Sequence, residues 1–336
     1  MRRIISFPVL AVISFFILHP SAFASPLPTF DNFRRMDHER RVSGQLQTAG
    51  SLDLMHVDAA LILRTAEQHR DNPQIQWGAA ELLTDWTQKQ TQFETALAVS
   101  GTNVLIALRF GCAAARAGQF DLARTWLRHC QNVDSTNAVP WLADLWLLQK
   151  EGTIGKFQSP TTATRFNDCA TEAVRARTHA LEAAGYSAYA ARRIGFVAEM
   201  PVLSMVHELV RANITEPAHL LAGAAESMQH GTFLITELVG QSLEKALLTA
   251  RTAVSTNTEA ATARVEQMTA RRNQIRQLVA DTGRFVVDNA TEVQMVQYYD
   301  DVLTLSEEEA MNRLAKTVQK SPPSPDELRR AGRPTD

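Results

Sequence analysis

The sequence predicts an all-α protein with no sheet: an array of helical hairpins followed by a larger helical region. Three observations carry this expectation. Small and bulky residues recur at helical spacings through 104–137, VLIALRFGCAAARAGQFDLARTWLRHCQNVDSTN. Residues 168–305 are rich in Ala, Leu, Arg, Glu and Gln, and no proline falls between Pro217 and Pro322, a composition that favours helix. The β-branched runs FVAEMPVLSMV and GRFVVDN lack alternating neighbours with which to pair, so neither reads as a strand.

Taken in order, the N-terminus reads as a secretory signal. Arg2 and Arg3 precede an apolar run over 4–18, a breaker at Pro20, and then Ala22, Phe23 and Ala24, which place small residues where signal peptidase requires them. Cleavage is expected after Ala24. The run of about 15 residues is short of the roughly 20 that span a bilayer, so no stable membrane span is expected after cleavage. No cysteine falls in 21–28 to carry a lipid. Retention of the segment as an anchor is the alternative. The expected location is exported, in the periplasm or outside the cell of a bacterium.

Pro26 and Pro28 then make a short extended lead, and Asp31 caps a helix to about residue 47. A second helix fits 52–68, where Leu52, His56, Ala59, Ala60, Ile62 and Leu63 mark one face. In 104–137, Gly111 and Ala123 allow two helix backbones to approach closely, and Gly118 allows the reversal between them. Asp121 puts negative charge in the first turn of the second helix, where the helix dipole favours it.

With Gly111, Gly118, Ala123, Leu127 and Cys130 on matching positions, this segment resembles a tetratricopeptide repeat, whose period is about 34 residues. It departs from that pattern at Ser135, where the family has proline, and at Ala114, where it has an aromatic residue. One period on, Trp141 and Gly152 fit the next unit; one period back, Trp86, Phe93 and Ala96 fit a second helix, with 78–83 ending its partner. The resemblance covers about 70–155 and is degenerate outside 104–137. It implies stacked helix pairs with a concave groove lined by the first helix of each pair. In that register Leu108, Cys112 and Arg116, then Leu142, Trp146, Gln149 and Lys150, face the groove. Arg116 and Lys150 would hold a carboxylate or acidic segment, with Trp146 as an apolar anchor. Solvated charges beside a core tryptophan are the plainer alternative.

All five tryptophans lie between Trp77 and Trp146, and the polar run GKFQSPTTATRFN follows, so a boundary or inserted loop is expected near 153–165. Helices are then expected over 168–184, 187–196, 201–213, 217–229, 232–254, 257–281 and 292–303, with Pro201 and Pro217 in first turns. Within the 257–281 helix, Val265, Met268, Arg272, Ile275 and Val279 form a stripe read as ordinary packing rather than a dimer seam. GTFLITELVG reads as a buried central helix interrupted by Glu237. Ser306 and Glu309 make a capping box for a last helix to about 318, and 321–336 reads as a disordered tail. The expected organisation is signal peptide 1–24, repeat-containing region 25–155, helical region 156–320 and tail 321–336.

The formal charge of −2 becomes −4 once Arg2 and Arg3 are removed, which leaves no basic excess for nucleic acid. Three cysteines in an exported chain raise the question of a bridge. In the repeat register Cys112 faces the groove and Cys130 the following helix, which disfavours that pair; Cys130 with Cys169 stays open, as does burial of free thiols. His207 and Glu208 begin like a zinc-protease helix, but Arg211 stands where the second histidine belongs. His207, His219 and His230 with Glu208 or Glu226 could form a metal site, yet isolated helical histidines more often serve packing or surface, and no metal or cofactor is assigned. No GxSxG, phosphate loop or dinucleotide pattern occurs. The function expected is a binding or scaffold protein for a protein or peptide partner. The alternatives are a helical envelope enzyme, hydrolytic or metal-dependent, and an oligomeric structural envelope protein.

Overall fold

The computed structural model describes residues 27–43, 57–158, 160, 162–196, 200–252 and 259–320. Among these the chain is all-helical, with one isolated bridge between Asn137 and Arg165 and no strand. The expected signal segment and tail lie outside the described residues.

Helix α1 (Phe30–Ser43) is pinned by Phe33 and Met36, both buried, and by Asp37, which accepts from Arg193 Nη2 at 2.7 Å. Helix α2 (Ala59–Gln68) starts later than residue 52, because the Asp58 carboxylate accepts the N–H groups of Ala60 and Leu61 and fixes the first turn there. Asn72 caps α3 (Pro73–Leu82), Asp85 caps α4 (Trp86–Ser100), and Asn103 caps α5 (Val104–Arg116). These short polar residues satisfy backbone donors that a helix start leaves open.

Residues 104–137 fold as one tight antiparallel pair, α5 with α6 (Phe120–Val133). A Cβ on Gly111 would sit 3.3 Å from Leu127 and from the Trp126 Cβ, so a glycine lets the two axes close together. Gly118 makes the turn at φ +76°. The register places Cys130 Sγ 3.7 Å from the Val104 carbonyl, so this thiol turns back onto α5 rather than toward the next helix. Phe110 stacks on Phe93 of α4 at 5.0 Å and lies 5.7 Å from Trp126 of α6, carrying an aromatic spine across three helices.

Helix α7 (Val139–Lys150) packs on α6 and α5. Beyond it the chain runs irregularly through one short 3-10 turn, Ile154–Lys156. It then returns, with Arg165 accepting from Ala138 N–H and donating to the Thr136 carbonyl. This irregular stretch falls where the polar run lies.

Helix α8 (Ala170–Ala183) does not stack beside α7. It packs on α3, so closely that a Cβ on Gly78 would lie 2.0 Å from the Ala176 carbonyl oxygen. Helix α9 (Ala188–Phe196) packs on α8, and α10 (Pro201–Arg211) crosses α7 and α5. Helix α11 (Ala218–Met228) has Pro217 at its cap rather than in the first turn.

Helix α12 (Leu234–Thr252) packs on α11 and α10, and its buried residues include Glu237, consistent with a central helix. Helix α13 (Glu259–Asn289) runs on past residue 281 and through Gly283. The stop falls instead where a Thr291–Gln294 capping box begins α14 (Glu292–Val302). Helix α15 (Glu307–Lys320) starts where Ser306 Oγ accepts the Glu309 N–H at 3.2 Å, and packs on α13 and α14. Met268 and Ile275 of the α13 stripe are buried, whereas Val279 is 45% exposed.

Candidate functional site

The C-terminal ends of α5 and α7 lie side by side, each with a cation where the helix dipole favours one: Arg116 and Lys150. One turn before Lys150, Trp146 lies beneath both, with Arg116 5.8 Å and Lys150 5.1 Å from its ring centroid. Glu208 of α10 closes the group. Its carboxylate accepts from Arg116 Nη1 at 2.7 Å, Trp146 Nε1 at 3.0 Å and Lys150 Nζ at 2.7 Å. Burial pushes the Glu208 carboxyl up, but the bonds from Lys150, Trp146 and Arg116 outweigh it and hold the group at about 2. The side chains of Arg116, Lys150 and Glu208 remain 39%, 40% and 29% exposed, so the cluster is a partly open surface feature with two cations for one carboxylate.

Of the residues expected to line a groove, Leu108, Cys112, Leu142 and Trp146 are buried. They share a core with Val202, Leu203, Met205, Val206 and Leu209 of α10. That helix covers the face a repeat groove would present, leaving Arg116, Gln149 and Lys150 toward solvent. The carboxylate that Arg116 and Lys150 were expected to hold is thus present as part of the chain itself. Glu208 was legible only as a neighbour of His207; it comes from a position 92 residues from Arg116, and no local pattern couples the two.

A second charged cluster, largely buried, was not foreseen. Glu81 of α3 takes two bonds of 2.7 Å from Arg109 of α5 and a third from Trp77 Nε1 at 3.1 Å. Arg177 of α8 lies 3.6 Å from the same carboxylate and donates to the Gly195 carbonyl at 2.7 Å. Burial raises the Glu81 carboxyl, yet the Arg109 charge and hydrogen bonds overcome it and hold it at about 2. Asp168 lies in the field of Arg109; its Oδ1 accepts the Ala170 N–H while Oδ2 is buried without a partner, and burial raises its carboxyl. The cluster ties α3, α5 and α8 together, with the Glu81 side chain 7% exposed.

Cys112, Cys130 and Cys169 are free and buried, and burial pushes the Cys112 and Cys130 thiols up to about 12. Such thiols are poor nucleophiles. The candidate histidines do not converge: His207 is half-buried on α10, and His219 Nε2 meets the Pro160 carbonyl. Among the described residues no group of three or more His, Cys, Asp or Glu side chains is placed to hold a metal ion. A polar depression of about 550 Å³ between α6 and α7 carries charges of both signs, and Arg124 there is paired with Glu151.

The chain is thus all-α, with α10 packed over α5 and α7 and a carboxylate clamp where the three helices meet. Among the described residues no helix is long and apolar enough to cross a membrane. Comparison with family models, with curated proteins and with solved structures finds no match.

Proposed function

We propose that this chain is an exported helical binding or scaffold protein that engages a protein or peptide partner at the rim where α5, α7 and α10 meet. The observation that carries this reading is the charge imbalance of the clamp. Arg116 and Lys150 share one carboxylate, Glu208, and each keeps further N–H donors at a partly exposed position. Glu208 holds both cations in place over the Trp146 ring, so an incoming acidic side chain meets donors whose geometry is already set. Affinity then comes from a charge-assisted bond at an aromatic-backed rim. Export rests on the Arg2, Arg3 and Ala22–Ala24 signal pattern.

The test is capture from an envelope extract with the tagged chain, followed by mass spectrometry of what is retained. Arg116→Glu combined with Lys150→Glu should abolish retention of a specific partner while far-UV circular dichroism stays unchanged. Equal recovery by a folded double variant removes the rim from the reading.

A further inference from the structure

Helix α13 carries four arginines over its described side chains, and they differ in one respect. Arg264 closes an ion pair with Glu244 at 2.7 Å, and Arg271 closes two, with Glu237 at 2.8 Å and with Glu308. Arg272 has no such counter-charge. Its Nε donates to Gln241 Oε1 at 3.0 Å and its Nη2 to Ser242 Oγ at 2.9 Å, both neutral groups of α12. Those acceptors are themselves fixed: Gln241 Nε2 donates to Glu237 Oε1 at 3.0 Å, and Ser242 Oγ donates to the Leu238 carbonyl at 2.9 Å. The guanidinium is therefore oriented on two sides and uncompensated in charge. One turn on, Arg276 projects from the same helix at the i+4 position, exposed and in no ion pair with another described side chain. Burial and the Arg276 charge both depress the ionisation of Arg272, the expected sign for two cations facing no anion.

A half-buried charge is ordinarily paired, because its desolvation is otherwise uncompensated. Elsewhere among the described residues Arg192 and Arg193 follow that rule with Asp300 and Asp37. We propose that Arg272 and Arg276, backed by Gln241 and Ser242, form a receptor for an oxyanion, a carboxylate or phosphate group, that supplies the missing counter-charge. A guanidinium already held through Nε and Nη2 loses little freedom when its remaining edge takes an anion, and the exposed Arg276 closes over the second oxygen.

The experiment is isothermal titration of the full chain with sodium phosphate and, separately, sodium acetate, at ionic strength held constant with sodium chloride. Saturable binding is expected, weakened about tenfold or more by Arg272→Gln and by Arg276→Gln, and unchanged by Arg70→Gln, a 72% exposed arginine outside both clusters. Binding of phosphate alone assigns the receptor to phosphate; binding of both assigns it to oxyanions including carboxylates. Failure of the wild-type chain to bind either, or unchanged binding in the two site variants, overturns the proposal. Arg276 is exposed, so its variant decides the matter should Arg272→Gln fail to fold.

Discussion

At Gly78 a hydrogen atom stands where any side chain would meet the Ala176 backbone at 2.0 Å. Backbone cannot rotate away, so Gly78→Ala forces α3 and α8 apart and should cost about 3 kcal/mol, read from urea denaturation. Gly111→Ala is the contrast. Its Cβ meets the Leu127 side chain and the Trp126 Cβ at 3.3 Å, a few tenths of an ångström short of ordinary contact, and alanine favours helix, so the variant should stay within about 1 kcal/mol of wild type. Equal losses at the two positions would contradict the packing described. Glu81→Gln removes the carboxylate that Arg109 and Arg177 share in the interior and should cost about 3–5 kcal/mol. Of these three residues the sequence marked only Gly111, through its spacing to Gly118 and Ala123. Gly78 and Glu81 act across to a helix far along the chain, and neither leaves a local trace.

Among elements, the helix starts were the most legible features, because their causes are local. Pro201 in a first turn, Asp121 near an N-terminus and Ser306 before α15 were each readable within four residues. The start of α2 was not, since an apolar face running back to Leu52 outweighed one aspartate. Asp58→Ala should accordingly cost about 1 kcal/mol, measured by thermal or urea unfolding. The partners of whole helices were the hardest to read: α10 has an ordinary amphipathic pattern, and nothing in it says that it covers α5 and α7. Its clamp is testable. Glu208→Gln should lower stability by about 1 kcal/mol, a small figure because the group is partly exposed. It should also change Trp146 emission; an unchanged spectrum would place the indole away from the carboxylate.

For the molecule as a whole, acid response follows above all from the two most strongly depressed carboxyls. Glu81 and Glu208 are each held at about 2, below the usual 4.5, so their stabilisation is present above pH 4.5 and is lost as pH falls through about 2. Asp168 and Glu307, raised by burial, act in the opposite sense and recover stability on protonation. Melting temperature should fall from pH 4.5 toward pH 2, with a shallower slope in Glu81→Gln than in wild type. All five tryptophans lie between Trp77 and Trp146, whereas circular dichroism reports every helix. Because α3 is locked to α8, the two signals should follow one transition; separate midpoints would mean that the two parts melt apart.

That lock also orders events during synthesis. The partner surface for Gly78 is made about a hundred residues later, so an emerging chain can form the hairpin at 104–137 but cannot finish seating its earlier neighbour until the stretch around Ala176 has been delivered. The ribosome's direction and the packing sequence therefore disagree, and the first tryptophan to be translated is among those that wait longest for their final surroundings.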